Sequence, residues 1–362
     1  MGSYTPVYDQ DIHTIHITED VRQSGNASLE LIAEGAAFLH KDGIIVLDNA
    51  IDTAHIDALN AKLSPEALVI AADPDHHFNF GKQTRNMDQA PPPTKELMFK
   101  DVWCNPFAAA ILAAVLGPRP VVHYANGNTA LRAPPHGRQP VHSDCEFSHP
   151  AYFPFAYVIN ISLVDVTPEN GGTEVWVGSH HVSTHDAHNT GSDDEQILSI
   201  KPELVEERRK HSPPVQVNTK RGSLVIRDLR LWHAGMPNLT DEPRVMLAFV
   251  ASPAWWQGRS KILLPRDVKE MVEAWKEEIH YDAEYVDGEV DYKKLKSAGV
   301  DFDSNSKVLE KYREELSRWP RVNFCHFLEN IVGMCPKGTI TASTMFPHTD
   351  RKASQRHIVD DW

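Results

Sequence analysis

Arg244-Val245-Met246-Leu247-Ala248-Phe249-Val250 reads as a β-strand that opens on a cation. Side chains alternate across a strand, so Arg244, Met246 and Ala248 share one face. The spacing predicts an arginine that points into a barrel lined by apolar groups.

Similar short runs precede this one at 119–125, 128–133, 139–143, 154–164, 172–177, 214–218, 222–228 and 230–234. Gly, Pro, Asn and Asp separate most of them, and many short strands at such spacing predict an all-β sandwich or barrel. One interruption, about 180–213, carries five histidines, the acidic Asp193-Asp194-Glu195 and a predicted short helix near 203–210. Loops of this length inside a compact domain are usually functional or disordered.

The flanks differ in character. Residues 1–25 are polar and unpatterned, which predicts a flexible N-terminus. From 27 to 40, apolar residues fall at helical spacing (Leu29, Ile32, Ala36, Phe38, Leu39), and Gly43 is a helix stop. Ile44-Ile45-Val46-Leu47 then reads as a buried strand, 53–63 as a second helix and 72–95 as loop. Pro106 opens an alanine-rich helix that Gly117-Pro118 closes. Past Pro253 the strand pattern ends, and 266–279 and 306–318 read as helices.

A chain of 362 residues is long for one domain. The patterns predict a β core with N-terminal helices over 26–253 and a C-terminal helical extension over 254–362. Phe324, Phe327, Ile331 and Met345-Phe346 in that extension need somewhere to bury, either as a lid over a barrel mouth or at a subunit interface of a homodimer.

Composition excludes several functions. Lys+Arg 36 against Asp+Glu 50 gives a net charge of −14, which disfavours nucleic acid, whose binding comes from neutralising cations. The cysteines Cys104, Cys145, Cys325 and Cys335 form no CxxC pair and fit a reducing compartment. No basic, apolar leader opens the sequence, no apolar run approaches the ~20 residues of a membrane span, and Asp360-Asp361-Trp362 is no peroxisomal signal. The expectation is a soluble, cytoplasmic protein that acts on no membrane.

GxGxxG, P-loop, GxSxG and HExxH motifs are absent. Histidine-x-aspartate, which puts two metal-capable groups on one face of a strand, occurs five times: 40/42, 55/57, 142/144, 280/282 and 348/350. A three-ligand iron site also needs a distant histidine, and a 2-oxoglutarate site needs a buried cation, for which arginine's fork suits a carboxylate best. The pair 40/42 sits at a helix end, and 55/57 lies inside a helix pattern where i,i+2 residues do not share a face. The pairs 280/282 and 348/350 lie beyond the β region. Only His142/Asp144, in Gln139-Pro140-Val141-His142-Ser143-Asp144, has a strand context, a distal histidine (His233) and an arginine (Arg244) eleven residues after it.

These residues resemble the phytanoyl-CoA dioxygenase-like branch of the iron(II)/2-oxoglutarate oxygenases. Gln139, the run Glu169-Asn170-Gly171-Gly172-Thr173 and Gly178-Ser179-His180 add to the resemblance. The stretch from Arg227 to Asn238 looks most like fungal members, and the likeness extends over about 30–252. It implies a double-stranded β-helix (jelly-roll, cupin-like) core. It also implies iron(II) on His142, Asp144 and His233, and the 2-oxoglutarate C5 carboxylate on Arg244, with Gln139 and Thr173 as further cosubstrate contacts. Asn160, on the face of Val158 and Ser162, reads either as a cosubstrate contact or as a partner of a neighbouring strand. His180, His181, His185 and His188 are expected to cap a strand exit and face solvent rather than hold a second metal. Cys145 and Trp232 are expected to pack.

The implied reaction is oxidation of a C–H bond of a small molecule by O2, with 2-oxoglutarate converted to succinate and CO2. Hydroxylation is the default outcome; desaturation, ring formation and endoperoxidation are the family's diversions, while halogenation would need a vacant position where Asp144 stands. A natural-product intermediate or an amino-acid-like molecule suits the acidic chain better than an acyl-CoA ester. The other class of function is a catalytically silent jelly-roll binding protein.

Overall fold

The computed structural model describes residues 12–145, 155–189, 198–256 and 261–295. The chain divides into two units, Met1–Ser306 and Lys307–Trp362, and all described residues belong to the first. Its early strands are β1 (Thr14–His16), β2 (Ile44–Asp48), β3 (Asn86–Asp88), β4 (Val121–Ala130) and β5 (Tyr157–Ser162). Four short ones follow: β6 (Glu174–Val175), β7 (Val215–Gln216), β8 (Leu224–Asp228) and β9 (His233–Ala234). The series ends with β10 (Met246–Ser252), β11 (Ile262–Pro265), β12 (His280–Tyr281) and β13 (Ala283–Val286). The helices are α1 (Glu19–Ser24), α2 (Leu29–Asp42), α3 (Thr53–Ala71), α4 (Lys100–Trp103), α5 (Pro106–Leu116), α6 (Pro202–Arg209) and α7 (Lys269–Glu273). No described helix is long and apolar enough to cross a membrane.

The strand predicted at 244–250 is β10, which lies inside a sheet ordered β1-β2-β8-β5-β10-β4-β12, with β3 on β4. Its two faces do different work. Leu247, Phe249 and Ala251 join Ile159, Ile161, Leu224 and Ile226 in the main core, against Leu39, Ile56, Leu59, Phe107 and Ile111 of the helices. The helices therefore cover one side of the sheet. The other side packs on a smaller sheet, β7-β6-β9. Ile44, Val46 and Val225 meet Val175, Val215, Val217 and Leu231 there in a second apolar cluster. Two facing sheets with helices on the outer side of the larger one form the expected jelly-roll core.

Register sorts the inner face into rows, because residues directly opposite one another share a face. Val250 stands between Tyr124 and Val158, and Val158 is followed by Arg227. Ala248 stands between Asn126 and Asn160, and Asn160 is followed by Val225.

Several expectations need correction. The segment from Thr14 to Ser24 is ordered into β1 and α1: β1 pairs in parallel with β2, and Ile15 and Ile17 are buried. Isolated apolar residues in a short edge strand leave no sequence period to detect. The second helix runs on to Ala71 through Pro65, because Leu63, Ala67 and Ile70 continue its buried stripe. The 72–95 stretch contains β3, and 119–125 and 128–133 are one strand, β4. Strands also persist past Pro253: β12 joins the large sheet beside β4, and β11 pairs with β13. Only Lys269–Glu273 of the predicted 266–279 helix is α-helical. Residues 296–362, including the predicted 306–318 helix and the apolar Phe324 to Phe346 positions, lie outside the described residues.

Asn105 joins the helical layer to the sheet. Its Oδ1 accepts from Phe107 and Ala108 at the start of α5, both at 3.1 Å. Its Nδ2 donates to the carbonyls of Ala50 (2.9 Å) and Asp101 (3.0 Å). Replacing Asn105 with Ala removes a helix cap and strands buried carbonyls, so a loss of about 2–3 kcal/mol is expected in urea unfolding. An unchanged midpoint would show that α5 needs no such anchor.

Candidate active site

The His142, Asp144 and His233 cluster is built by main-chain pairing. His142 donates its backbone N–H to the His233 carbonyl at 2.9 Å, and His233 donates back at 2.8 Å. This isolated bridge adds the 142 segment beside β9, and a second bridge to Ser199 flanks it on its other side. Directly paired residues project to one side, so the two imidazoles stand together, ring centroids 4.1 Å apart. Asp144 follows two residues on and returns to that side, its own N–H held by the Leu229 carbonyl at 2.9 Å.

Both rings are fixed in one orientation. His142 Nδ1 donates to the Pro140 carbonyl at 2.9 Å, and His233 Nδ1 donates to the Leu231 carbonyl at 3.0 Å. The lone pairs are then left on the Nε2 atoms, the arrangement that metal-binding histidines use. Those atoms lie 3.9 Å and 3.4 Å from Asp144 Oδ1. The three donor atoms all fall within 4.8 Å of one another, and no other such group of His, Cys, Asp or Glu occurs among the described residues.

The electrostatics match a cation site. Burial, then the neighbouring His233, pushes His142 down to about 3, so its imidazole is neutral at neutral pH. Burial works to raise the Asp144 carboxyl, but Arg227 and the two histidines outweigh it and hold it well below the usual carboxylate range. Two imidazole nitrogens and one anionic oxygen fit a divalent iron with open positions. The Asp144 side chain is 27% exposed, against 6% for His142 and 8% for His233, so the cluster is open from the carboxylate side.

Arg244 is buried and pairs through its backbone with Ala130. Its Nε donates to the Asn170 carbonyl at 3.1 Å, and Nη1 lies 3.8 Å from Met246 Sδ. Burial pulls it down to about 10, still charged at neutral pH. Among the described residues no carboxylate pairs with it. The Asn170 contact places the Glu169–Thr173 loop beside the guanidinium. Gly171 and Gly172 let that loop close in: a Cβ at Gly171 (φ +82°) would sit 2.6 Å from the Met236 carbonyl, and one at Gly172 2.4 Å from the Val217 carbonyl.

Gln139 is buried, but its Oε1 accepts from the Gly235 N–H at 2.7 Å, so the side chain also serves the backbone. Thr173 is half-buried immediately before β6 and accepts from Val217 through its carbonyl. Asn160 lies on the inner face between Ala248 and Val225. Trp232 and Cys145 are packed, as expected.

The rejected pairs are dispersed. His40 and Asp42 end α2, His55 pairs with Asp101, His280 is exposed on β12, and 348/350 lie outside the described residues. Among the described histidines of the long insert, the expectation that they face solvent fails for two. His180 is buried and donates through Nε2 to the His40 carbonyl at the end of α2 (3.1 Å). His188 is buried against Ser143 Oγ, 2.7 Å away. Each satisfies a neighbouring element of the core, a role invisible in a polar stretch of sequence. Residues 190–197 of the insert lie outside the described residues.

Two positions beside the cluster escaped the sequence reading. Arg227 reaches from β8 to Asp144, its Nη2 2.6 Å from Oδ2. A lone cation inside Leu224-Val225-Ile226-Arg227 was the available signal. Phe80 lies with its ring 4.4 Å from that of His142 and adopts φ +57°, a costly conformation for a bulky side chain and one that concentrates at functional sites. No periodicity marks it.

Facing sheets with two imidazoles and one carboxylate between them form an arrangement that can hold a divalent metal. The family model for phytanoyl-CoA dioxygenase (PhyH) matches residues 39–246, more than half of the chain, and the protein belongs to that family. It is an iron(II)/2-oxoglutarate-dependent dioxygenase. Solved structures similar to it include the epimerase SnoN in complex with Fe3+, alpha ketoglutarate and nogalamycin RO. That match has 20% identity, covers 63% of this chain and 85% of that one, and has a TM-score of 0.46. The carbocyclase SnoK from nogalamycin biosynthesis is similar at 17% identity, with the same coverages and TM-score. EctD from S. alaskensis, in its apoform, is similar at 20% identity over 69% of this chain and 83% of that one, TM-score 0.45.

His180 gives a pH prediction. Burial foremost pushes it from an ordinary 6.5 down to about 4. The folded protein keeps it neutral while the unfolded chain takes up a proton, so stability falls as pH drops from 6.5 towards 4. Urea midpoints across this window should fall less steeply for His180→Gln than for the parent. Equal slopes would contradict the assignment.

Proposed function

We propose that His142, Asp144 and His233 hold the iron, that Arg244 takes the C5 carboxylate of 2-oxoglutarate, and that the enzyme oxidises a C–H bond of a small, largely apolar natural-product intermediate. The carrying observation is the convergence of His142 Nε2, His233 Nε2 and Asp144 Oδ1 in one cluster. Bound iron(II) supplies O2 activation coupled to decarboxylation of 2-oxoglutarate to succinate and CO2.

The residues of the chain divide the remaining work. A buried guanidinium without an acidic partner is costly, and a carboxylate from outside removes that cost. Arg244 presents such a group, with a fork suited to bidentate contact. Asn126 and Asn160, flanking Ala248, offer polar contacts on the same inner face. The next row, Tyr124, Val250 and Val158, belongs to an apolar cluster with Phe155, Leu229 and Trp256. This wall supports a substrate that brings apolar surface to the iron, with Phe80 beside His142. Excluding water around the reacting carbon is then a property of the wall. The cluster of apolar groups and a net charge of −14 disfavour an acyl-CoA ester. Gln139 and Thr173 are proposed as lesser cosubstrate contacts from the Arg244 side.

Anaerobic iron titration tests the assignment. His142→Ala and Asp144→Ala should each lose stoichiometric iron(II) binding, and retention by both would refute it. Arg244→Lys keeps the charge but loses the fork, so 2-oxoglutarate affinity should fall about tenfold or more with iron binding little changed. Unaltered 2-oxoglutarate dependence of succinate release in Arg244→Ala would place the cosubstrate elsewhere.

A further inference from the structure

Arg227 is the one buried arginine whose charge is directed at the metal cluster by its described contacts. Its strand dictates the direction. On β8 it stands opposite Ile44 of β2 and Val158 of β5, on the face turned towards the small sheet. Both flanking residues are apolar, and the Arg227 side chain is 7% exposed. A charge in such a place is tolerated only when paired. Its partners are the cluster itself. Nη2 donates to Asp144 Oδ2 at 2.6 Å, and Nη1 lies 3.4 Å from His233 Nδ1. The His233 Nδ1 proton is committed to the Leu231 carbonyl, so that second contact is only electrostatic.

The two oxygens of Asp144 are thereby divided. Oδ1 faces the imidazole Nε2 atoms, and Oδ2 is taken by Arg227. A free carboxylate can chelate a metal through both oxygens; one whose second oxygen accepts a short, charge-assisted hydrogen bond offers only the first. We propose that Arg227 is a positioning residue that restricts Asp144 to one-oxygen ligation and so preserves the coordination positions that 2-oxoglutarate and O2 require. The inference rests on the proposed iron ligands. It differs from the role of Arg244, which concerns the far end of the cosubstrate.

Two consequences follow from the chemistry. Without Arg227, iron still finds two nitrogens and a carboxylate, and a second Asp144 oxygen becomes available to it. Iron binding is then retained, while 2-oxoglutarate has to displace that oxygen in order to chelate. The environment of the iron changes before any cosubstrate is added.

The test uses the full-length protein with iron(II) under anaerobic conditions, comparing the parent with Arg227→Met, which removes the donor, and Arg227→Gln, which keeps a neutral one. Two quantities are read: the 2-oxoglutarate titration, followed by the visible charge-transfer band of its iron(II) complex, and the electron paramagnetic resonance of the nitric oxide adduct without 2-oxoglutarate. Arg227→Met should bind one iron, with 2-oxoglutarate affinity weakened about tenfold or more and an altered nitrosyl spectrum. Arg227→Gln should lie between it and the parent in both readouts. If Arg227→Met does not fold, Arg227→Gln decides, and a parent-like result for it overturns the proposal. Weakened 2-oxoglutarate binding with an unchanged nitrosyl spectrum also overturns it, by placing Arg227 on the cosubstrate. Failure of the underlying ligand assignment is separate: the parent protein would then keep its iron when His142 is replaced.

Discussion

Two backbone hydrogen bonds between His142 and His233 set the geometry on which the rest of the site depends. They join segments about ninety residues apart in sequence into one narrow ladder. Because paired residues project to the same side, they also bring two imidazoles into contact without any side-chain interaction to steer them. Asp144 then needs only the two-residue period of an extended chain to join them. The carbonyls of Pro140 and Leu231 complete the arrangement by orienting each ring through its Nδ1. Main-chain pairing seats this cluster on regular elements, which is where a constellation of this kind is best held.

The large sheet contributes by separating its two faces. One is given wholly to the core beneath the helices, so the other is free to carry groups that a core would exclude. Two cations are the clearest case. Arg227 is buried and paired inside the protein with Asp144. Arg244 is buried beside a carbonyl and a thioether, and in the proposed reading an incoming carboxylate completes it. The same residue type thus does internal and external work on one surface, and the difference lies in which carboxylate each can reach.

Much of this was legible in the sequence, for identifiable reasons. The strand beginning at Arg244 and the pair His142/Asp144 are local patterns with a period of two, and strand context, the distal His233 and the arginine after it together separated that pair from four others. Helix ends marked by Gly43 and by Pro106 with Gly117 were equally local. What stayed hidden depends on tertiary contact. Arg227 looks like any charged residue near the end of a strand until β8 is placed opposite the 142 segment. Phe80 sits in a stretch without period, where a positive φ leaves no trace in composition. His180 and His188 lie among polar residues and are nevertheless buried, because their partners, the His40 carbonyl and Ser143, come from other elements. The strands after Pro253 were missed because each is short and pairs with a distant segment.

Iron placement tests the central claim most directly. Crystals of the protein grown anaerobically with iron(II), measured on both sides of the iron absorption edge, report the position of the metal without reference to activity. The account predicts one strong anomalous peak bounded by His142 Nε2, His233 Nε2 and Asp144 Oδ1. A peak at any other cluster, or full occupancy elsewhere with these three donors bare, would contradict it.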